Sequence, residues 1–153
     1  MKSTIGILTG GGDVPGLNPA IRAVTIRALR EGHRVIGIRR GWGGLVDIVP
    51  DKGADNSAHM QVLTEEAVNK AGRTGGTFLH TSRTRPSHLP KGMVPIHLQK
   101  KYQDDINDIT DDVLTNLDFL GIDYLVPIGG DDTLSYGAHL HERGIPVVAI
   151  PKT

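Results

Sequence analysis

The chain has no cysteine among its 153 residues. That excludes a disulfide framework, a thiolate zinc site and a thiol nucleophile. It has no charge excess of either sign: 17 basic residues balance 17 acidic ones. No global field therefore favours nucleic acid or an anionic membrane, and any affinity for anions must come from local placement. No stretch is apolar for long enough to span a bilayer. Met1 to Thr4 leads straight into strand-like sequence without the organisation of a signal peptide. Internal repeats and low-complexity segments are absent too. These absences leave a soluble, cytoplasmic protein of about one domain as the expectation, with no nucleic-acid and no membrane partner.

Glycine, by contrast, is plentiful, at 20 residues against a usual share of about 7%. It clusters at Gly10–Gly12, Gly41–Gly44 and Gly129–Gly130, with a further pair at Gly75–Gly76. Such clusters suggest loops that bring backbone close to a ligand. The surrounding pattern reads as α/β. Thr4 to Thr9 is a first strand, and Asn18 can cap the next helix with Pro19 at its first position. Ile21, Val24 and Ala28 give that helix an apolar face, and Gly32 closes it. His33 to Ile38 is a second strand. Asp111 to Leu120 is a helix with acids near its start. Tyr124 to Ile128 and Pro146 to Ile150 are strands around a helix from Thr133 to Arg143, with Gly144 behind it. Asp51 to Ser57 and the proline-rich Pro86 to Pro95 read as loops. Two βαβ units, one at each end, predict a mostly parallel, Rossmann-like sheet in a three-layer αβα arrangement. In such sheets ligands bind beyond the carboxyl ends of the strands. The loops after Thr9 and Ile128 should therefore face one shared site.

Gly129-Gly130-Asp131-Asp132-Thr133 is the most informative run. A Gly-Gly turn between a strand and a helix offers backbone N–H groups to an anion. Two carboxylates do not suit a bare phosphate cradle, but they suit a site that also holds magnesium, which prefers one or two carboxylates plus substrate phosphates. The alternative is a pair of solvated acids at a helix start. Gly10-Gly11-Gly12-Asp13 can wrap a phosphate or simply form a tight turn. It matches neither the P-loop nor a strict dinucleotide spacing. Lys152, after a strand end, and Arg83 can each pair with phosphate, and each alone can be plain surface. His139 and His141 diverge on a helix and make a poor metal pair. Trp42 reads as packing before a ligand platform.

Taken together, Gly11-Gly12-Asp13-x-Pro15-Gly16-x-Asn18, Gly75-Gly76-Thr77-x-Leu79-x-Thr81-Ser82-Arg83, Gly129-Gly130-Asp131-Asp132-Thr133 and Pro151-Lys152-Thr153 resemble the 6-phosphofructokinase family, in the family's order. The resemblance implies phosphoryl transfer to the 1-hydroxyl of fructose 6-phosphate, with Mg2+ as cofactor. It implies donor-phosphate contacts at Gly11, Gly12, Arg83, Thr84, Gly130, Asp132 and Thr133, and a metal-linked role for Asp131. ATP-using members usually carry glycine at the position of Asp132. An aspartate there, with lysine at the position of Lys152, resembles the pyrophosphate-using members and gives those two residues catalytic roles. A carboxylate near an α-phosphate would repel it by roughly 4 kcal/mol at ~4 Å and moderate effective dielectric. The family's Asp-Asn-Asp stretch, which supplies the catalytic base, and its sugar-phosphate domain follow the position of Thr153. Residues 1–153 are therefore expected to be an N-terminal, donor-binding part, inactive alone, from a homo-oligomer; the alternatives are an ATP-dependent member of the family or a non-catalytic α/β binding module. The family's nucleotide-effector site uses two arginines on the first helix. Arg22 suits it, but Ile26 stands at the second position.

Overall fold

The computed structural model describes residues 2–12 and 14–152; Asp13 and Thr153, both quoted above in motifs, lie outside the described residues. The main sheet is built from β1 (Thr4–Thr9), β2 (Arg34–Ile38), β3 (Met60–Val62), β6 (Tyr124–Gly129) and β7 (Ile150–Pro151). Its order is β3-β2-β1-β6-β7. All neighbours are parallel except the edge pair β2–β3. Helix α1 (Leu17–Arg30) links β1 to β2, and α5 (Asp131–Glu142) links β6 to β7. The remaining helices are α2 (Trp42–Asp47), α3 (Glu65–Ala71) and α4 (Thr110–Leu120). A small ribbon of β4 (Leu89–Pro90) and β5 (Ile106–Asn107) stands apart from the sheet.

Strand residues alternate between two cores, as the pleat requires. Leu8, Ile36, Ile38 and Leu125 face α2, α4 and α5 through Trp42, Leu45, Val113, Leu117, Tyr136 and Leu140. Ile7, Val35, Val126 and Ile128 face α1 and α3 through Leu17, Ile21, Ile26 and Val68. The sheet is thus covered on both faces, in the three-layer αβα arrangement that the sequence predicts. The reason is chirality. From β1 the chain winds one way to β2, and from β6 it winds the other way to β7. Right-handed crossovers in opposite directions must place α1 and α5 on opposite faces. The order of the strands reverses between β1 and β6, and their carboxyl ends lie side by side there, with Thr9 in register with Ile128.

Several local readings differ from expectation. Helix α1 starts at Leu17, one residue before the expected cap. Its N-cap is Gly16, left-handed at φ 97°, without a side-chain cap. Asn18 is instead 1% exposed and bonds to a distant loop. The Gly41–Gly44 cluster opens α2, and close packing accounts for its glycines. A Cβ at Gly44 would lie 1.8 Å from the Arg39 carbonyl, and one at Gly41 would lie 2.7 Å from the Thr9 carbonyl. These glycines let a helix pack directly on backbone. The expected strand Pro146 to Ile150 pairs only at Val147 and Ile150–Pro151. Helix α3, capped by the Thr64 hydroxyl accepting from Ala67 N–H at 3.2 Å, and the antiparallel edge strand β3 escaped the sequence reading.

Candidate active site

The shared edge of β1 and β6 is stitched by backbone. Gly10 N–H donates to the Ile128 carbonyl at 2.9 Å, and Lys152 N–H donates to the Gly129 carbonyl at 3.0 Å. Thr133, on the first turn of α5 and 5% exposed, fills the gap between the two loops. A Cβ at Gly10 would lie 2.2 Å from its Oγ1, and one at Gly129 would lie 2.7 Å from its Cβ. Glycine is needed at these two positions for Thr133, not for a ligand. The other loop glycines behave differently. A Cβ at Gly12 or Gly130 would meet nothing within 4 Å. Gly11 is left-handed at φ 81°. The Lys152 ammonium lies 3.5 Å from where its Cβ would be. Gly11, Gly12 and Gly130 are therefore the positions where a ligand can approach the backbone. Lys152 adds a cation beside them, and the amino end of α5 adds its dipole.

A cleft of about 520 Å³ runs from Gly11 along α5. Five of the sequence-predicted residues line it: Gly11, Arg83, Thr84, Asp132 and Thr133. Gly12, Gly130, Asp131 and Lys152 lie outside its lining. Asp132 is exposed at the first turn of α5, with Arg85 3.9 Å away. Both side chains are largely in water, so this pair contributes little to stability. Asp131 and Asp132 interact favourably with the helix dipole, as first-turn acids do. Thr84 is buried and hydrogen-bonds the Ser82 hydroxyl at 3.0 Å.

The opposite end of the cleft was not foreseen. Ser135, Tyr136 and His139 line it, with Ser82, Arg85, Ser87 and His88. The signal was present, because Asp132, Ser135, Tyr136 and His139 follow the i, i+3, i+4, i+7 spacing of one helical face. Trp42 and Tyr136 pack edge to face at 4.9 Å, and both are buried. The Trp42 indole donates to the Thr133 carbonyl at 3.3 Å. Trp42 thus packs on Tyr136 and holds the start of α5, and it also lines the cleft. Burial drives the Tyr136 hydroxyl well above the usual tyrosine range, so it stays protonated, bonded to Thr110 at 3.1 Å. His139 is not simple surface: its Nε2 is buried with no hydrogen-bond partner among the described residues.

Among the described residues no group of three or more His, Asp or Glu side chains could hold a metal. Asp131, exposed at the first turn of α5, is a carboxylate of the kind that a hard cation could take beside phosphate and water. Residues 4–153 match the family model described as phosphofructokinase. The chain is 38% identical over 152 residues to the pyrophosphate–fructose 6-phosphate 1-phosphotransferase of Dictyoglomus thermophilum, covering 99% of the chain and 36% of that protein. It is 37% identical over 150 residues to ATP-dependent 6-phosphofructokinase 3 of Streptomyces coelicolor, covering 97% of the chain and 36% of the relative. The chain thus spans about a third of the length of these relatives. The fold is similar to that of Pichia pastoris phosphofructokinase in the T-state, with a TM-score of 0.73 at 24% identity, covering all of this chain and 16% of that one. From its matched residues and its fold, the chain belongs to the phosphofructokinase family.

Proposed function

We propose that the chain is the donor-binding part of a phosphotransferase that moves a phosphoryl group from pyrophosphate to the 1-hydroxyl of fructose 6-phosphate, giving fructose 1,6-bisphosphate. The observation that carries this reading is Asp132, exposed at the first turn of α5, together with Lys152, whose ammonium lies beside Gly11. A compact dianionic donor can lie over Gly11, Gly12 and Gly130, taking backbone hydrogen bonds and the Lys152 charge. Arg83, exposed on the opposite wall, adds a planar donor to the same phosphates. Asp132 then stands where a longer donor would bring a further phosphate, and repels it. Asp131 would hold magnesium, which neutralises charge on the donor when bound. The family resemblance supports a homo-oligomeric, cytoplasmic enzyme as part of the same reading.

A second reading is ATP as donor. Its support is the length of the cleft, about 520 Å³ and extending past Asp132 to His139, which is more room than pyrophosphate needs. ATP-dependent relatives are also about as similar as pyrophosphate-dependent ones. Steady-state kinetics at the protein's full natural length, with magnesium pyrophosphate and magnesium ATP as alternative donors, tests the choice. The pyrophosphate reading expects the higher kcat/KM with pyrophosphate. A higher value with ATP overturns it.

A further inference from the structure

Arg83 and Thr84 reach the cleft on a segment, residues 74–84, that is neither helix nor strand. Irregular segments are ordinarily among the more mobile parts of a domain. This one is held by side chains of the β1–α1 unit. Asn18 donates to the Thr74 hydroxyl at 3.0 Å and accepts from Phe78 N–H at 2.7 Å. Further along, Leu79 N–H donates to Thr77 Oγ1 at 3.2 Å, the Thr77 and Thr9 hydroxyls are 2.9 Å apart, and Thr9 Oγ1 donates to the His80 carbonyl at 3.0 Å. Thr9 gives its only proton to that carbonyl, so Thr77 must donate to Thr9. Each hydroxyl then acts once as donor and once as acceptor. Both threonines are buried, Thr9 completely.

The backbone at this turn is strained. Among the described residues only two that are not glycine have left-handed φ: Arg40 at 59° and His80 at 62°. They belong to one network. Arg40 N–H donates to the Leu79 carbonyl at 2.8 Å, Ser82 Oγ donates to the Arg40 carbonyl at 2.6 Å, and the His80 carbonyl is the acceptor for Thr9. Left-handed backbone at such residues is unfavourable and persists only where the surroundings over-determine it. Two strained residues bonded into one turn, three residues before Arg83, indicate a conformation that is held for use.

We propose that Thr9 is a positioning residue for phosphoryl-donor binding. It is the last residue before the Gly10–Gly12 loop, and its hydroxyl locks the turn that carries Arg83 to the end of β1. The arginine and the glycine loop thereby keep one relative geometry. Thr9 itself, fully buried, touches no ligand. The inference rests on the reading of Arg83 as a donor contact.

The test is a double-mutant cycle in the protein at its full natural length, using Thr9→Val, Thr9→Ser, Arg83→Ala and the Thr9→Val/Arg83→Ala pair. The probe is magnesium pyrophosphate, with Kd measured by calorimetry beside the thermal midpoint. Thr9→Val, which keeps the shape and removes the hydroxyl, is expected to weaken binding about tenfold, and Thr9→Ser to restore it to within about threefold. In the Arg83→Ala background, Thr9→Val should weaken binding by less than about twofold further. Unchanged Kd with a lowered midpoint, or losses that multiply in the double variant, overturns the inference and leaves Thr9 a packing residue, while the donor site stands. Unchanged Kd in Arg83→Ala removes Arg83 from the donor site and overturns both. Should Thr9→Val not fold, the same cycle on Thr77→Val, which removes the proton donated to Thr9, is expected to give the same pattern, and additivity there counts against the inference equally.

Discussion

Replacing Gly10 by alanine isolates what the first glycine loop is for. The new Cβ would lie 2.2 Å from Thr133 Oγ1, 2.9 Å from Cγ2 and 3.1 Å from Cβ. Thr133 has nowhere to go. On its other side three of its atoms would be within 2.8 Å of a Cβ at Gly129, and its carbonyl is held by the Trp42 indole. Moving the loops apart instead breaks the bond from Gly10 N–H to the Ile128 carbonyl. Gly10 has no left-handed backbone in this structure, so the whole effect is steric. Overpacking of this severity destabilises by about 3 kcal/mol, or roughly 10 °C in midpoint for a chain of this size. Thr133→Ala removes the two nearest atoms. The pair Gly10→Ala/Thr133→Ala should therefore be less destabilised than the sum of the single changes by at least about 1 kcal/mol. Urea denaturation of the four proteins measures this. Additive losses, or an unchanged midpoint in Gly10→Ala, would refute the argument that Thr133 fills this gap. Gly12→Ala is the control. Its Cβ meets nothing, so stability should stay within about 0.5 kcal/mol, while magnesium pyrophosphate binding weakens.

Two substitutions at the same edge and one pH profile give further tests. Asp132→Gly should raise affinity for magnesium ATP about tenfold, since the repulsion removed lies between about 1 and 4 kcal/mol at ~4 Å, and the lower end is nearer because Asp132 is 86% exposed; an unchanged preference between donors would remove Asp132 from donor choice. Asp131→Asn should cut kcat strongly and leave the thermal midpoint within a degree or two, because the amide is a poor ligand for a hard cation and the residue is exposed; unchanged turnover with a large fall in midpoint would make Asp131 a helix-capping residue only. The contribution of two tyrosines to stability should be constant below about pH 10 and fall above it. Burial raises the Tyr136 hydroxyl, and burial with the Asp112 bond raises that of Tyr102, so both folded-state values exceed the unfolded one and the stabilisation is lost as pH rises. Tyr102→Phe/Tyr136→Phe should flatten that alkaline fall, and an unaltered profile would assign it to other groups.

Much of this was legible in the sequence because local rules and the global fold agree. The short β-rich and apolar runs at Thr4–Thr9 and Tyr124–Ile128, and the glycines behind α1 and α5, marked two βαβ units. The strand order, and with it the reversal point between β1 and β6, depends on pairing between distant segments that no local rule gives. The strand β3 was hidden because three residues carry no clear period, and α3 because its seven residues bury only Val68. Asn18 looked like a helix cap because that residue type favours caps, but its partners lie 56 and 60 residues away, a distance no local rule spans. Glycine richness was read as ligand proximity. At Gly10, Gly44 and Gly129 it reflects side chains or backbone that a Cβ would strike, while Gly12 and Gly130 are open and Gly11 has only the Lys152 side chain beside it. His139 reaches the cleft by a helical spacing that runs back to Asp132, not by its spacing to His141.

The most direct test of the donor site is a crystal structure of the protein with magnesium pyrophosphate. The account expects the diphosphate over Gly11, Gly12 and Gly130, within hydrogen-bond reach of Lys152 Nζ and Arg83, with magnesium on Asp131. A diphosphate found instead in the groove between α1 and α3, beside Arg22 and Arg73, with the β1–β6 edge empty, would contradict it.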